Sequence, residues 1–232
     1  MSELADRELL AEVRSALAAA GDPELAAGQQ RYMKSEMPYY GVTLPGLREV
    51  LKPVLNAHPP ALREVWEATV RTLWDEATHR EEWYAAIAVA RHPAAAGWLD
   101  PASLDLWRHL VTTGAWWDVV DDIAANLVGG VLAGHRAEVT PVMRAWAVDD
   151  HLWLRRTAVL CQLGARGETD LDLLRFAIGS NVDDTSFWLR KAIGWALRQY
   201  ARTDPEWVLA EVTRLDDRLS GLSRREATKH LL

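Results

Sequence analysis

The sequence predicts an all-α protein, a curved solenoid of HEAT-like helical repeats. Almost every segment has the apolar periodicity of a helix, and no stretch of alternating β-branched residues rises above it. Proline and glycine interrupt the chain at short intervals, which leaves about a dozen helices of ordinary length with short connections. A repeat in the second half of the chain adds the third observation, because it has the length of a stacked helical hairpin.

The repeat is carried by two related segments. DDHLWLRRTAVL (149–160) and DDTSFWLRKAIGW (183–195) share an acidic pair followed by Trp-Leu-Arg and a second basic residue. Trp153 and Trp188 stand 35 residues apart. A hairpin of this length cannot bury its apolar face alone, so consecutive hairpins must stack. We therefore expect a concave cleft that is lined by the second helix of each pair.

The domain organisation follows from the length and the repeat. At 232 residues the chain can form one well-cored domain or one elongated array. We expect a single domain over residues 1–232, in which N-terminal helices (1–57) lead into the hairpin repeats. Within the array, GAWWDVVDD (114–122) starts a helix that we expect Gly129 and Gly130 to end.

Composition and charge exclude several classes of protein. One cysteine gives neither an internal disulfide nor a zinc spacing, and the N-terminal segment has no continuous apolar stretch, so we expect a cytoplasmic protein that does not enter a membrane. The net charge of −7 argues against coating nucleic acid by bulk attraction. Residues 151–232 nevertheless hold 13 basic against 11 acidic residues, a net of +2, while residues 1–150 carry −9. A local basic surface remains open in the C-terminal third.

The tryptophan–aspartate segment divides on a helical wheel. Trp116 falls on the core face, whereas Asp118 and Asp122 fall on the solvated side. Trp117 and Asp121, four residues apart, share the border of the apolar face. A ring and a carboxylate in that arrangement can line one cleft.

A second face combines an aromatic ring with positive charge. In SFWLRKAIGWALRQY (186–200), Trp195 lies at the margin of the core face between Lys191 and Arg198, which are one turn away on either side. Such a face suits nucleic acid, with cations for phosphates and a ring for a base or sugar. It equally suits a basic rim around a partly buried tryptophan.

Five blocks, in order along most of the chain, resemble the AlkD-like DNA alkylation repair glycosylases, a family built from HEAT-like repeats. The blocks are QQRYMKSEMPYYGVTLPGLREV (29–50), WWDVVD (116–121), LWLRRTAVL (152–160), IGWALRQYARTDPEWV (193–208) and LSRREATKHL (222–231). Ordered blocks at similar spacing are a more specific signal than any single motif. The SEMPYYG loop departs from the more aromatic or basic versions of this loop, which bears on substrate range more than on reaction type.

The resemblance implies roles for particular residues. Trp117 and Asp121 correspond to the catalytic tryptophan and aspartate, and Trp195 to the second tryptophan of the cleft. Arg156 corresponds to an arginine that binds the DNA backbone, and Tyr32 to the N-terminal cleft tyrosine. With Lys191 and Arg198 from the helix face, these residues form the expected DNA-binding set.

The resemblance also implies an activity. It is hydrolysis of the N-glycosidic bond of 3-methyladenine and 7-methylguanine in duplex DNA, the first step of base excision repair, by a monomer that needs no metal and no cofactor. Two alternatives stay open. A non-catalytic HEAT-like protein that binds DNA structure would keep the basic face, and a protein-binding scaffold would explain the acidic net charge.

Overall fold

A computed structural model describes residues 4–231 of the chain. Over that range the protein is helical and contains no β-strand, which confirms the all-α prediction. None of the helices there is long and apolar enough to cross a membrane. The α-helices of the described range are α1 (Arg7–Ala19), α2 (Pro23–Met33), α3 (Leu44–Ala57), α4 (Arg63–Asp75), α5 (Arg80–Ala90), α6 (Leu104–Gly114), α7 (Trp117–Asp122), α8 (Gly129–Gly134), α9 (Arg136–Ala147), α10 (Leu152–Leu160), α11 (Leu171–Gly179), α12 (Phe187–Tyr200), α13 (Pro205–Leu215) and α14 (Gly221–Ala227).

Side-chain caps and prolines determine where several of these helices begin. Asp22 accepts hydrogen bonds from two backbone N–H groups of α2, whose first residue is Pro23. At the start of α13, Asp204 accepts one hydrogen bond, from the backbone N–H of Trp207, and Pro205 is the first residue of the helix. Ser186 caps α12 through the backbone N–H of its second residue. Each cap satisfies donors that the helix leaves unpaired, and proline costs no hydrogen bond at the first helical position.

The chain divides into two compact units, one up to Trp98 and the other from Leu99 onward. The first unit contains α1–α5, in which α1 packs against α3, α4 and α5. Its loop before α3 is held by Glu81 of α5, a fully buried carboxylate that accepts the backbone N–H groups of residues 40–42. The prediction of a single domain over the whole chain stays a prediction.

The second unit contains the stacked helices that the 35-residue repeat predicted. Four of its helices form a stack: α10 packs against α7 on one side and α12 on the other, and α12 packs in turn against α14. The other helix of the α10 pair, α9, packs on α10 and on α11. The largest fully buried side chains of this unit are Trp107, Leu110, Ile123, Leu127, Met143, Leu154, Leu160 and Leu173. The predicted curvature and concave cleft stay predictions.

The helix that begins at Trp117 does not end at Gly129 and Gly130. It continues through a π-helical segment, Ile123–Val128, directly into α8. A Cβ on Gly129 would lie 2.5 Å from the carbonyl oxygen of Cys161, the residue that follows α10. The predicted helix end is therefore wrong, because this glycine is required by the close approach of a neighbouring backbone and not by a turn.

Candidate active site

The start of α7 positions the predicted catalytic pair. Ala115 lies in the left-handed region, with φ 39°, and Trp116 is extended, with φ −148° and ψ 149°. Trp116 thus precedes the helix, and its predicted place on the core face of that helix is wrong. Trp117 is the first residue of α7 and Asp121 follows one turn later, and both side chains are half-buried. Their spacing of four places them on the same side of the helix.

Asp121 is held by Arg156 of α10 in a bidentate ion pair. The Nε of Arg156 donates to one carboxylate oxygen at 2.7 Å, and Nη2 donates to the other at 2.8 Å. Nη1 donates to the backbone carbonyl of Trp188, in the first turn of α12, at 2.5 Å. The side chain of Arg156 is only 3% exposed and that of Asp121 is 13% exposed. The guanidinium of Arg156 therefore connects its own helix, α10, to both α7 and α12.

Burial and the ion pair with Arg156 have opposite effects on the pKa of the Asp121 carboxylate. Burial raises the pKa of Asp121, and the hydrogen bonds and positive charge of Arg156 offset part of that rise. A buried carboxylate without such a partner would tend to take up a proton. Arg156 therefore favours the ionised form and fixes its orientation. A fixed negative charge can stabilise positive charge that develops in front of it.

Arg156 was predicted to bind a DNA phosphate. A guanidinium has five N–H donors, and three of those of Arg156 are used by Asp121 and the carbonyl of Trp188. A phosphate contact would use the remaining two. That role stays a prediction, whereas the contact with Asp121 is a feature of the fold.

Three tryptophans pack against one another beside the ion pair. The ring centroid of Trp188 lies 5.2 Å from that of Trp116 and 5.5 Å from that of Trp153. The guanidinium carbon of Arg156 lies 5.9 Å from the ring of Trp188, within cation–π range. This cluster was not predicted as part of the site. The available signal was the repeated Trp-Leu-Arg, which places Trp153 and Trp188 at equivalent positions of neighbouring helices.

The two cations predicted on α12 share one acidic partner. Lys191 Nζ lies 2.5 Å from one carboxylate oxygen of Glu226, on α14, and Arg198 Nη1 lies 2.6 Å from the other. The hydrogen bond from Lys191 lowers the pKa of Glu226, which is therefore ionised at neutral pH. Trp195 lies between the two cations along α12 and is half-buried. Glu226 was not anticipated from the sequence.

The spacing of 35 residues also organises the charges of the stack. Asp121 and Arg156 are 35 residues apart, and so are Lys191 and Glu226. Arg156 and Lys191 are separated by the same interval, so the four residues occupy one position in successive repeats. The order is acid, base, base, acid, and each acid pairs with the base of the adjacent repeat. This interval was the sequence signal that could have identified Glu226.

Tyr32 belongs to the first unit. It lies in the last turn of α2, and 76% of the residue is exposed. The other six predicted site residues belong to the second unit. There, Asp121 pairs with Arg156, and Lys191 and Arg198 both pair with Glu226. The predicted role of Tyr32 in a cleft stays a prediction.

Comparison with known proteins identifies similar chains. Residues 13–231 match the family model described as DNA alkylation repair enzyme. Among solved structures, the chain is similar to a predicted DNA alkylation repair enzyme from Enterococcus faecalis, with 31% sequence identity and a TM-score of 0.82. That similarity covers 91% of this chain and 96% of the other. No curated protein matches the chain.

Proposed function

The chain belongs to the DNA alkylation repair enzyme family, and from that premise we propose that it is a DNA glycosylase for alkylated purines. Family membership supports DNA binding and a part in the repair of alkylation damage. The finer activity that we propose is hydrolysis of the N-glycosidic bond of 3-methyladenine and 7-methylguanine in duplex DNA. The observation that carries this proposal is the half-buried carboxylate of Asp121, which Arg156 orients through two hydrogen bonds, one to each oxygen.

The proposed chemistry begins with a leaving group that is already charged. Alkylation at N3 of adenine or N7 of guanine makes the base cationic. When the bond from C1′ to the ring nitrogen breaks, its electron pair goes to the base, which leaves neutral and needs no general acid. The deoxyribose becomes an oxocarbenium-like cation, which a nearby carboxylate stabilises. Water then adds at C1′ and loses a proton, for which Asp121 is the proposed acceptor.

The pairing of Asp121 with Arg156 is compatible with that role. An ionised carboxylate has about four lone-pair sites, and Arg156 uses one on each oxygen. The remaining sites can face a cationic sugar. Arg156 reduces the net charge of the pair, but its hydrogen bonds and positive charge also offset part of the rise in the pKa of Asp121 that burial causes. In this proposal Arg156 is a positioning residue for Asp121, whatever further contact it makes with a phosphate.

The other predicted residues contribute to binding in this proposal. Trp117, one turn before Asp121, and Trp195 on α12 contact the sugar and backbone around the lesion, where aromatic faces favour the developing positive charge. Lys191 and Arg198 contact phosphates. Tyr32 is the remaining residue for which we propose a DNA contact. Recognition through sugar and backbone would not require a tight base pocket, so bulky cationic adducts should be tolerated.

A non-catalytic DNA-binding protein is the second candidate. The observation that favours it is the bidentate ion pair between Asp121 and Arg156, because an ion pair between stacked helices also has a purely structural use. A protein-binding scaffold is a third alternative, but it does not require a carboxylate and two half-buried tryptophans on the same helical stack. Catalysis separates the first candidate from the other two.

The decisive experiment measures free 7-methylguanine released from methylated duplex DNA. The wild-type protein should release it, and Asp121→Asn should reduce the rate on the order of 10²-fold or more, because the isosteric amide lacks the charge. Asp122→Asn, which removes the same charge at the next position of α7, is the matched control and should be near wild type. No release by the wild type, or equal rates for the two variants, would remove the catalytic proposal.

A further inference from the structure

Glu226 is placed against α12 by a close approach of two helices. A Cβ on Gly194 would lie 2.5 Å from Cβ of Glu226 and 2.9 Å from the carbonyl oxygen of Ser223. Glycine at position 194 therefore lets α14 pack at this distance. The hydroxyl of Ser223 donates to the carbonyl of Arg190 at 2.8 Å, which anchors α14 on α12. The packing of α14 on α12 therefore fixes the backbone position of Glu226 next to Lys191 and Arg198.

The two cations that meet Glu226 are more exposed than the acid is. The side chain of Lys191 is 38% exposed and that of Arg198 is 23% exposed, whereas that of Glu226 is 15% exposed. Each cation takes a different oxygen of the same carboxylate. The carboxylate of Glu226 therefore pairs with both cations at once, in the way that a DNA phosphate could.

We propose that Glu226 is an internal competitor for DNA phosphate at Lys191 and Arg198. In the free protein it pairs with both cations, and a phosphate must displace it or share them. The consequence is weaker binding to the backbone of undamaged DNA, so that other contacts of the site contribute a larger share of the total affinity. This inference rests on the proposed function for one element only, the contact of α12 with DNA.

Counterion release converts the proposal into a measurable quantity. Each cation that neutralises a phosphate of duplex DNA adds about −0.9 to the slope of log affinity against log salt. Removing the charge of Glu226 frees two cations, so the slope should become steeper by about 1 to 2. At low salt the same contacts should raise affinity on the order of tenfold.

The test compares two substitutions that change net charge equally. Glu226→Gln frees Lys191 and Arg198, whereas Asp183→Asn frees Arg218, whose Nη2 lies 2.6 Å from the Asp183 carboxylate in an exposed pair. Binding of each protein to an undamaged labelled duplex is titrated at several salt concentrations. We expect tighter binding and a steeper slope for Glu226→Gln, with Asp183→Asn near the wild type. Equal affinity and slope for the two variants would overturn the proposal.

Further measurements separate the possible explanations. Circular dichroism checks that Glu226→Gln keeps its helical content. Glu226→Asp keeps the charge on a side chain that is one methylene shorter, and it should give an intermediate gain in affinity. Adding Lys191→Gln and Arg198→Gln to Glu226→Gln should abolish the gain, and a gain that persists would assign it to another site. If the wild type releases no 7-methylguanine but Glu226→Gln still binds more tightly, the proposed function fails and this inference stands. If the wild type releases 7-methylguanine but Glu226→Gln shows no gain in affinity, this inference fails and the proposed function stands.

Discussion

Replacing Arg156 by methionine tests how the carboxylate of Asp121 is held. The substitution keeps an unbranched side chain but removes both charged hydrogen bonds to Asp121 and the one to the carbonyl of Trp188. Asp121, with a side chain that is 13% exposed, would keep a charge with little solvation and no partner. Removing one member of a buried ion pair costs about 3–5 kcal/mol. The free energy of unfolding at neutral pH should fall by that amount.

The cost should depend on pH, because protonation of Asp121 removes the unpaired charge. Burial already raises the pKa of Asp121, and loss of Arg156 removes the interactions that offset this rise. Between the pKa of the unfolded chain and the higher pKa of the folded protein, the folded state binds more protons. Stability in Arg156→Met therefore decreases as pH rises through that window, and the variant should lie nearer to the wild type at about pH 5 than at about pH 8. Excision, which needs the ionised carboxylate, should move its acid limb to higher pH.

The assay is urea unfolding followed by tryptophan fluorescence at both pH values. Arg155→Met is the matched control, since Arg155 lies on the same helix and pairs with Asp184 at 2.8 Å, but the two side chains are 22% and 24% exposed. That pair should contribute about 1 kcal/mol or less. Arg156→Lys keeps the charge without the bidentate geometry and should recover part of the loss. A cost for Arg156→Met no larger than that of Arg155→Met, or one that is equal at both pH values, would refute the reasoning.

Three further predictions test binding, packing and chemistry. Reversing Lys191 and Arg198 together to glutamate should weaken binding to damaged and undamaged duplex alike, measured by titration; wild-type binding that does not depend on salt would contradict this. Gly129→Ala should lower the free energy of unfolding by about 1–3 kcal/mol, because its Cβ meets the carbonyl of Cys161, whereas Gly134→Ala, with open space around the added Cβ, should be nearly neutral in the same urea assay. Equal effects of the two alanines would mean that the close approach is unimportant. Chromatography of released bases should show 7-methylguanine and 3-methyladenine but no uracil, and a bulky N7-alkylguanine with only a modest loss; uracil release comparable to 7-methylguanine would contradict the proposed chemistry.

Features that depend on spacing along the chain could be predicted from the sequence. Helical periodicity and the positions of proline and glycine were enough for the all-α class, because both act within a few residues. The interval between Trp153 and Trp188 indicated stacked helices, since repeats of that length bury a face only against one another. The spacing of four between Trp117 and Asp121 placed a ring and a carboxylate on one side of a helix. Ordered blocks along the chain indicated the family.

The partner of each charged side chain was decided only by the tertiary structure. Arg156 was predicted to bind DNA and Glu226 was not identified, although each forms an ion pair with a residue 35 positions away. Likewise, local rules ended a helix at Gly129, whereas the carbonyl of Cys161 on an adjacent segment requires glycine inside the helix. Such contacts form only when helices pack. Bringing distant residues together costs conformational entropy, and burial of the whole interface offsets this cost, whereas local helix propensity does not. The sequence by itself therefore determined the helices and their repeat, and packing determined which charges neutralise one another.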